Sequence, residues 1–508
     1  MMNRPIQPTF GALILIVCAV LCVSILPVSI QIVPRSVEAQ TTPAASSAQT
    51  EDLHTVSETT QVVEYTLRTV IGQNPPMAFQ GVGGSIDGQI NPTLTANVGD
   101  TVRLTVINGD PVLHDWTLEI LNVTTGQLLE DEQSVTLEFT PTEPGEFTYL
   151  CSVPGHRDIG MHGILQVTGT AAASEQAAEA VPALAQAEPT VQPAAADAVS
   201  IVRDPADVPP PVGDRDPMTL RVDLTTQEVT GVLADGTTFN YFTFDGKIPG
   251  PMLRVRVGDT VDFHLGNATD SLFPHSIDLH AVTGPGGGAV YTQTLPGGET
   301  SFTFEALNVG IYVYHCATAS IPHHISSGMY GLILVEPPGG LPPVDREFYV
   351  MQGDIYTDQP FGTAGHLNFD MNAMSHEDAT YLVFNGAVGG LTSDEHALRA
   401  NVGETVRIYF GVGGPNYTSS FHVIGEIFDR VYTEGSLTSP PALDVQTTMV
   451  PSGGAAVVEF TVDVPGRYIL VDHSLSRLER GLAGYLYVEG DEQPAIYHGE
   501  GAANMAGH

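Results

Sequence analysis

The sequence predicts an all-β protein made of three β-sandwich domains, and two repeated features support this fold class. A segment of the type Val-Gly-Asp-Thr-Val recurs at residues 98–102, 257–261 and 402–406, and each copy is followed by alternating apolar residues. Such alternation is typical of a half-buried strand. A later strand in each copy begins at a glycine, and the residue six positions on is Cys151, Cys316 or Asp472. Three copies of one unit, with short strands and Gly/Pro turns, favour β-sandwiches.

The repeats also predict the domain boundaries. The first domain spans residues 60–169, the second 216–338 and the third 344–490. Residues 170–215 are rich in Ala, Glu, Gln and Pro and lack strand patterning, which predicts a flexible linker. We therefore expect a loosely tethered first domain beside a tight pair formed by the second and third.

Composition narrows the classes of function. The 508 residues carry 58 acidic and 18 basic side chains, for a formal net charge of −40. A field of this sign repels phosphate backbones, so nucleic acid is excluded as a partner. Four cysteines in a chain of this length exclude a disulfide scaffold.

The N-terminal segment, residues 1–39, predicts export from the cytoplasm. Arg4 precedes the apolar run 11–33, and a small-residue cleavage site follows at residues 37–39. The run is also long enough to span a bilayer, so an uncleaved anchor is the alternative. Both interpretations predict a periplasmic or extracytoplasmic protein. Outside residues 1–39, its cysteines are Cys151 and Cys316.

The first domain has the ligand pattern of a blue-copper site. Cys151, His156 and Met161 lie in one loop, and His114 follows the strand after the repeated turn. Two imidazoles, a thiolate and a weak axial thioether suit type 1 copper, whereas zinc has little use for methionine. The sequence therefore predicts an electron-transfer copper site.

The second domain repeats this pattern with His275, Cys316, His324 and Met329. His323 competes with His324 for the second imidazole position. We prefer His324, because its five-residue step to Met329 equals the step from His156 to Met161, and we interpret His323 as a loop residue beside the site.

The third domain retains two histidines but not the cysteine. Asp472 occupies the cysteine position, His422 stands where the other domains hold a ligand, and His473 follows Asp472. They are either remnants of a lost site or parts of another one.

A second kind of site is indicated in the second domain. Alternate strand residues face opposite sides, so Asp278 and His280 share the face opposite His275, and His315 points away from the copper bound by Cys316. His280 and His315 can converge outside the sandwich, with His473 as the candidate third ligand. Three imidazoles with an open position make a catalytic metal site.

These motifs resemble those of copper-containing, nitric-oxide-forming nitrite reductases over residues 216–490. The resemblance rests on residues 274–284, 312–316, 324–329, 384–389, 421–425 and 471–475. Residues 60–169 resemble a plastocyanin-like cupredoxin. The resemblance implies three cupredoxin-type Greek-key sandwiches.

The resemblance also implies roles for individual residues. His275, Cys316, His324 and Met329 hold a type 1 copper that receives electrons, and His280, His315 and His473 hold a type 2 copper. His473 comes from a neighbouring subunit of a homotrimer. Asp278 and His422 are the catalytic pair that binds nitrite and delivers protons, and Ile424 shapes the pocket.

With the first domain, this gives two type 1 coppers and one type 2 copper per chain. The implied activity is one-electron reduction of nitrite to nitric oxide in denitrification. Electrons come from a small redox protein, either a cupredoxin or a cytochrome c. The loop from Cys316 to His324 is one residue shorter than in well-known members, and His323 stands where tryptophan is often found.

Two alternatives remain. A multicopper oxidase needs about eight histidines in His-x-His and His-Cys-His motifs, yet Ala317 follows Cys316, and His275 and His280 are five apart. A non-enzymatic electron carrier explains the first domain but gives no purpose to Asp278, His280, His315, His422 and His473. For the first domain, we hypothesise that it feeds electrons to the second.

Overall fold

The computed structural model describes residues 61–499 apart from 72–74, 76, 111, 122, 129–131, 154–155, 158–159 and 170–190. The described part is nearly all-β, with six sheets that pair into three sandwiches. This confirms the predicted fold class. The predicted export segment, residues 1–39, lies outside the described residues. No helix in the described ranges combines the length and the apolar character needed to cross a membrane.

The N-terminal domain contains two sheets, with strand orders β2-β1-β4-β7 and β3-β9-β8-β5-β6. Its strands are β1 (Val62–Ile71), β2 (Met77–Gly81), β3 (Leu94–Asn97), β4 (Thr101–Ile107), β5 (Thr117–Leu118), β6 (Val123–Thr124), β7 (Ser134–Phe139), β8 (Gly145–Leu150) and β9 (His162–Thr168).

The central domain has sheets β15-β13-β10-β11-β19 and β12-β17-β16-β14. Its strands are β10 (Thr219–Ala234), β11 (Thr237–Phe244), β12 (Leu253–Arg256), β13 (Thr260–Asn267), β14 (Asp278–Leu279), β15 (Glu299–Glu305), β16 (Gly310–His315) and β17 (Tyr330–Glu336), joined by β19 (Gly365–Leu367) from the following segment.

The C-terminal domain has sheets β20-β18-β22-β27-β24-β25 and β21-β29-β28-β23-β26. Its strands are β18 (Arg346–Ile355), β20 (Tyr381–Phe384), β21 (Leu398–Asn401), β22 (Thr405–Gly414), β23 (Ser419–Ile424), β24 (Phe428–Tyr432), β25 (Ala442–Val445), β26 (Thr448–Val450), β27 (Ala455–Thr461), β28 (Gly466–Asp472) and β29 (Gly484–Glu489).

Helical structure is short. The α-helices of the described residues are α1 (Ile321–Ser326) and α2 (Met371–Ser375), and the 3-10 turns are Gly84–Ile86, Glu119–Leu121, Pro285–Gly288, Thr433–Gly435 and Leu475–Arg480. Helix α1 carries His323 and His324, so His323 is not the loop residue that the sequence analysis expected.

The repeated Val-Gly-Asp-Thr-Val segment is a tight turn before a central strand. Its glycine has φ near +88° in every copy, a backbone region that favours glycine. The acidic residue after the glycine accepts a hydrogen bond from a backbone amide three residues earlier: Asp100 from Asn97, Asp259 from Arg256 and Glu404 from Asn401. The next strand then pairs in parallel with the first long strand of its domain.

The central and C-terminal domains share one continuous apolar core. Buried ion pairs add to this contact: Arg254 binds Glu336 at 2.6 Å and Glu347 at 2.8 Å, and Glu347 also binds Arg407 at 2.9 Å. Buried charges paired this way resist separation, because removing one partner leaves the other unpaired. The two domains therefore form a tight pair.

The C-terminal part of the predicted linker packs against the folded domains. Residues 170–190 lie outside the described residues, but the expectation of a flexible segment up to residue 215 is wrong. Val199 bridges Gly231 and Val202 bridges Ile248 in parallel, and Ile201 is fully buried in the shared core. The adjacent apolar side chains of Ile201 and Val202 are buried and fix this segment against the core despite its proline content.

Candidate copper sites

The N-terminal copper site, defined by His114, Cys151, His156 and Met161, gathers buried donor atoms in a small volume. The Nδ1 atoms of His114 and His156 lie 3.2 Å apart, and Cys151 Sγ lies 3.4 Å from His156 Nδ1. Strand β8 delivers Cys151. An isolated antiparallel β-bridge between His114 and Leu128 fixes the backbone of the ligand His114.

The central copper site, defined by His275, Cys316, His324 and Met329, repeats this geometry. The Nδ1 atoms of His275 and His324 are 3.1 Å apart, and Cys316 Sγ is 3.4 Å from His324 Nδ1. Strand β16 delivers Cys316, helix α1 delivers His324, and a bridge to Thr294 fixes His275.

Local backbone hydrogen bonds hold each methionine beside its cysteine and histidine. The amide of Cys151 donates to the carbonyl of Met161 (3.1 Å), and the amide of Met161 donates to His156 (2.9 Å). In the central site, Cys316 donates to Met329 and Met329 to His324, both at 3.1 Å. Both methionines are fully buried. The pattern explains the five-residue His-to-Met step in both loops.

A carboxylate orients one ligand imidazole in each site. Asp110 Oδ1 lies 3.0 Å from His114 Nε2, and Glu228 Oε1 lies 3.2 Å from His275 Nε2. A hydrogen bond at Nε2 fixes the ring orientation and leaves Nδ1 for the metal. Neither acid was predicted from the sequence. Asp110 is four residues from its histidine, but Glu228 lies on β10 and gave no sequence signal.

The Cys316 thiol is set up as a metal ligand. Burial by itself opposes ionisation, but the charges and hydrogen bonds of His324 and His275 outweigh it and hold the pKa of Cys316 well below its usual range. At the N-terminal site, burial and the nearby Asp115 raise the pKa of Cys151. The two thiols therefore share ligands but not electrostatic surroundings.

The outer histidine site, defined by Asp278, His280 and His315, lies on the other face of the strands that hold the central site. Asp278 pairs with His315 in the β14–β16 ladder, and the Nε2 atoms of His280 and His315 are 3.1 Å apart. His315 Nδ1–H donates to the carbonyl of Cys316 at 2.9 Å. Burial, then the neighbouring His315, lowers the pKa of His280, which favours the neutral ring that a metal needs.

A loop glycine lies against Asp278. A Cβ atom on Gly287 would lie 1.8 Å from Asp278 Oδ1, and its φ of +53° favours glycine, so a side chain there would displace the carboxylate. The exposure of the site differs from that of the two cysteine sites: Asp278 and His315 are partly buried and His280 is exposed, so solutes reach it. An exposed metal position with protein ligands on one side is typical of catalysis.

The C-terminal domain brings His422 and His473 together, with ring centroids 5.6 Å apart, on the adjacent strands that also carry Ile424 and Asp472. His422 Nδ1–H donates to the carbonyl of Gln446 at 2.6 Å. Among the residues that the structure describes, neither histidine joins a group of metal ligands within this chain.

Asp472, at the cysteine position, serves a different purpose. It is buried and forms an ion pair with Arg477, and it accepts hydrogen bonds from the amides of Ser420 and Ser474 at 3.1 and 3.0 Å. These donors satisfy the carboxylate without a metal. His323 does not belong to the group of metal ligands in the central site. Its ring instead stacks on that of Phe369, with centroids 4.0 Å apart.

The donor sets fit copper. Each cysteine site combines two imidazoles, a thiolate and a thioether in a dry pocket, which is the type 1 set. The outer histidine site offers two imidazoles and a carboxylate with space for further ligands. Across the described ranges, the groups of three or more ligands are these three. The chain therefore has two type 1 copper sites and one His/Asp site consistent with type 2 copper.

Comparisons with known proteins agree with this chemistry. Two domain families described as multicopper oxidase match residues 225–340 and 360–492. The copper-containing nitrite reductase of Neisseria meningitidis serogroup B is 52% identical over 308 residues, covering 58% of this chain and 78% of that protein. The chain belongs to the copper-containing nitrite reductase family.

Other members of the copper-containing nitrite reductase family are more distant. The protein of Alcaligenes xylosoxydans xylosoxydans is 37% identical over 274 residues, covering 50% of this chain and 82% of that protein. A solved copper nitrite reductase from Nitrosomonas europaea is 35% identical and covers 54% of this chain and 96% of that one, with a TM-score of 0.48. The relative from Neisseria meningitidis serogroup B confirms the resemblance to copper-containing nitrite reductases that the sequence motifs indicated.

Proposed function

We propose that this chain reduces nitrite to nitric oxide, with the two copper sites of the central domain working as one unit. The observation that carries the proposal is the pairing of Asp278 with His315 on β16, one residue before Cys316. An electron-accepting site and a solvent-reachable site are thus joined by one peptide bond. A simple electron carrier has no use for the second site.

The reaction consumes one electron and two protons and releases water, and the residues divide this work. Copper held by His280 and His315 would supply a Lewis acid and an electron to the bound anion. Asp278 lies in the same group of ligand atoms and is placed to pass a proton to the departing oxygen. His422 is the candidate for the second proton, because an imidazole changes charge near neutral pH.

A third ligand from a second copy of the chain completes this proposal. His280 and His315 supply two imidazoles, and His473 is exposed on another domain beside His422. If His473 and His422 face the outer histidine site of a neighbouring subunit, His473 completes the ligand set. The two proposed catalytic residues, Asp278 and His422, then lie beside the same metal. The resemblance to copper-containing nitrite reductases implies a homotrimer, and we propose that assembly, with one interfacial site for each pair of neighbouring subunits.

We also propose a periplasmic or extracytoplasmic location, with a small cupredoxin or cytochrome c as the electron donor. The apolar run at residues 11–33 supports export. The net charge of −40 favours a donor with a basic docking face, because opposite charge speeds encounter.

The experiment that tests the function is nitrite-dependent nitric oxide release with copper counted per chain. We expect release together with three coppers per chain, and a mass three times that of the chain by light scattering. A single-site His473→Ala variant should lose one copper and the activity but keep both blue chromophores. Two coppers in the unmodified protein and no nitric oxide would favour an electron carrier instead. A trinuclear copper signal with oxygen consumption would favour a multicopper oxidase.

A further inference from the structure

The N-terminal domain contacts the central domain at the edge of its copper site. The amide of Leu113, next to the ligand His114, donates to the carbonyl of Leu272 at 3.3 Å. The ring of His156 meets the ring of Phe273 edge-on, with centroids 6.4 Å apart. A single cluster of buried apolar side chains includes members of both domains. The contact therefore joins the ligand loops themselves.

One aromatic ring separates the two copper sites. Phe273 lies 6.4 Å from His156 on one side and 6.3 Å from His324 on the other, measured between ring centroids. His156 is 2% exposed and Phe273 is 9% exposed, so water is largely excluded between the ligand rings. A short, dry, packed path of this kind suits electron transfer between the two ligands.

Glu228 fixes this path to the central site. Its carboxylate accepts hydrogen bonds from the amides of Leu272 (2.7 Å) and Phe273 (3.0 Å) and contacts Nε2 of the ligand His275 at 3.2 Å. One side chain thus holds both the contact loop and a copper ligand. The loop that contains Leu272 and Phe273 is therefore fixed in position relative to the central copper ligand His275.

The surroundings of the two copper cysteines differ, and of the two it is the central site that adjoins the outer histidine site. The residue whose amide donates to the cysteine sulfur is Asp115 in the N-terminal site and Ser276 in the central site, both at 3.4 Å. Asp115 is buried and accepts hydrogen bonds from the amide and hydroxyl of Ser152. The central site adjoins the outer histidine site, because His315 directly precedes Cys316, so the electron passes from the N-terminal site to the central one.

We propose that the N-terminal domain is the built-in electron donor of the central copper site, through the contact of His156 with Phe273. The N-terminal copper is oxidised by one electron as the central copper is reduced by one, and an external one-electron redox protein then restores the N-terminal copper. Because the chain's own domain covers the ring edge of Phe273, that external donor docks on the N-terminal domain. The proposal rests on the proposed function.

The test uses the full, copper-loaded protein without nitrite, so it does not depend on the reductase activity. One electron is injected photochemically, and the absorbance of the two blue sites is followed. Cys151→Ser and Cys316→Ser variants assign the two chromophores. Hydrogen exchange of the Leu113 amide reports the contact independently. In the unmodified protein we expect a protected amide and transfer from the N-terminal to the central chromophore.

Leu272→Asp places a charge in the contact and should expose the Leu113 amide and slow the transfer at least about tenfold. Phe273→Ala removes the ring and should slow the transfer to a similar degree. The matched control is Leu307→Asp. Leu307 is also an exposed leucine of the central domain, but it lies beyond the opposite end of β16 from Cys316, and its substitution should change neither readout.

Three results would overturn the proposal: rapid exchange of the Leu113 amide in the unmodified protein, an unchanged transfer rate in Phe273→Ala, or an unchanged rate once Leu272→Asp has exposed that amide. Nitric oxide release driven by a small soluble reductant is measured separately. Its absence from the unmodified protein would count against the reductase function, whereas failure of the transfer alone would count only against the donor role.

Discussion

The N-terminal and central domains use one framework for two purposes. In both, a short strand pairs with the strand that ends at the copper cysteine: Thr117 pairs with Leu150, and Asp278 pairs with His315. The N-terminal domain places Thr, Glu and Leu at positions 117, 119 and 150, where the central domain has Asp278, His280 and His315. The type 1 site is common to both. The second site differs from the matching N-terminal positions in three side chains, which lie on or beside strands that also hold the first site.

This difference indicates that electron transfer and catalysis depend on separate faces of the same strands. The inward face needs a dry pocket with constrained ligands, whereas the outward face needs access for an anion and protons. Alternation along a strand satisfies both requirements within a few residues. Variants that exchange residues between the two domains should therefore act on one face at a time.

The largest effect is expected from His315→Leu, which gives the central domain the N-terminal residue. The outer histidine site loses an imidazole ligand, so one copper per chain is lost and nitric oxide release falls to background. Both blue chromophores should remain, since Cys316 keeps its ligand set. Copper analysis with visible spectra measures this. The reciprocal Leu150→His is the control and should add no activity, and retention of three coppers in His315→Leu would contradict the assignment.

The second effect concerns Asp278→Asn, which keeps the size of the side chain but replaces the carboxyl group with an amide that cannot act as a general acid. Copper content should stay unchanged while turnover falls about 10²- to 10⁴-fold, the usual contribution of general acid catalysis. Thr117→Asn at the matching N-terminal position should leave turnover as it is. Steady-state nitric oxide assays over a range of pH distinguish the two. An Asp278→Asn variant with normal turnover would remove Asp278 from the mechanism.

A smaller effect is expected at the carboxylates that orient the ligand imidazoles. Glu228→Gln should weaken copper binding at the central site by about 10- to 100-fold, as loss of such a partner usually does. Asp110→Asn should do the same at the N-terminal site only. Competition with a copper chelator, read at each blue chromophore, gives both affinities. Glu228→Gln should additionally loosen the loop at Leu272, whose amide donates to Glu228. Equal mobility of this loop in Glu228→Gln and Asp110→Asn would argue against a role of Glu228 in holding the loop.

The smallest expected effect is on the reduction potentials of the two type 1 copper sites. Asp115→Ser removes the buried acidic side chain beside Cys151 and should raise the reduction potential of the N-terminal site, while Ser276→Asp should lower that of the central site. Shifts of tens of millivolts are expected, since roughly 59 mV corresponds to a tenfold change in a one-electron equilibrium. Redox titration of each chromophore measures them. A drop in potential for Asp115→Ser would contradict the assigned effect of Asp115 on the N-terminal site.

The ligand loops could be predicted from the sequence because their geometry is local. Cys151, His156 and Met161, like Cys316, His324 and Met329, are joined by backbone hydrogen bonds within one short loop, so spacing alone carries the information. The strand repeats likewise predicted three sandwiches, because a tight glycine turn and alternating apolar residues act over a few positions. The paired faces of Asp278, His280 and His315 followed from strand alternation.

Only the tertiary structure decided the features that depend on distant contacts. Glu228 reaches His275 across 47 positions, and the contact of Leu113 with Leu272 joins separate domains. The packing of residues 191–215 into the core was also hidden, because their composition resembles a linker while their burial depends on the domains beside them. Sequence patterns record local backbone preference and ligand chemistry, but the electrostatics and the electron path of this protein depend on which surfaces meet after folding.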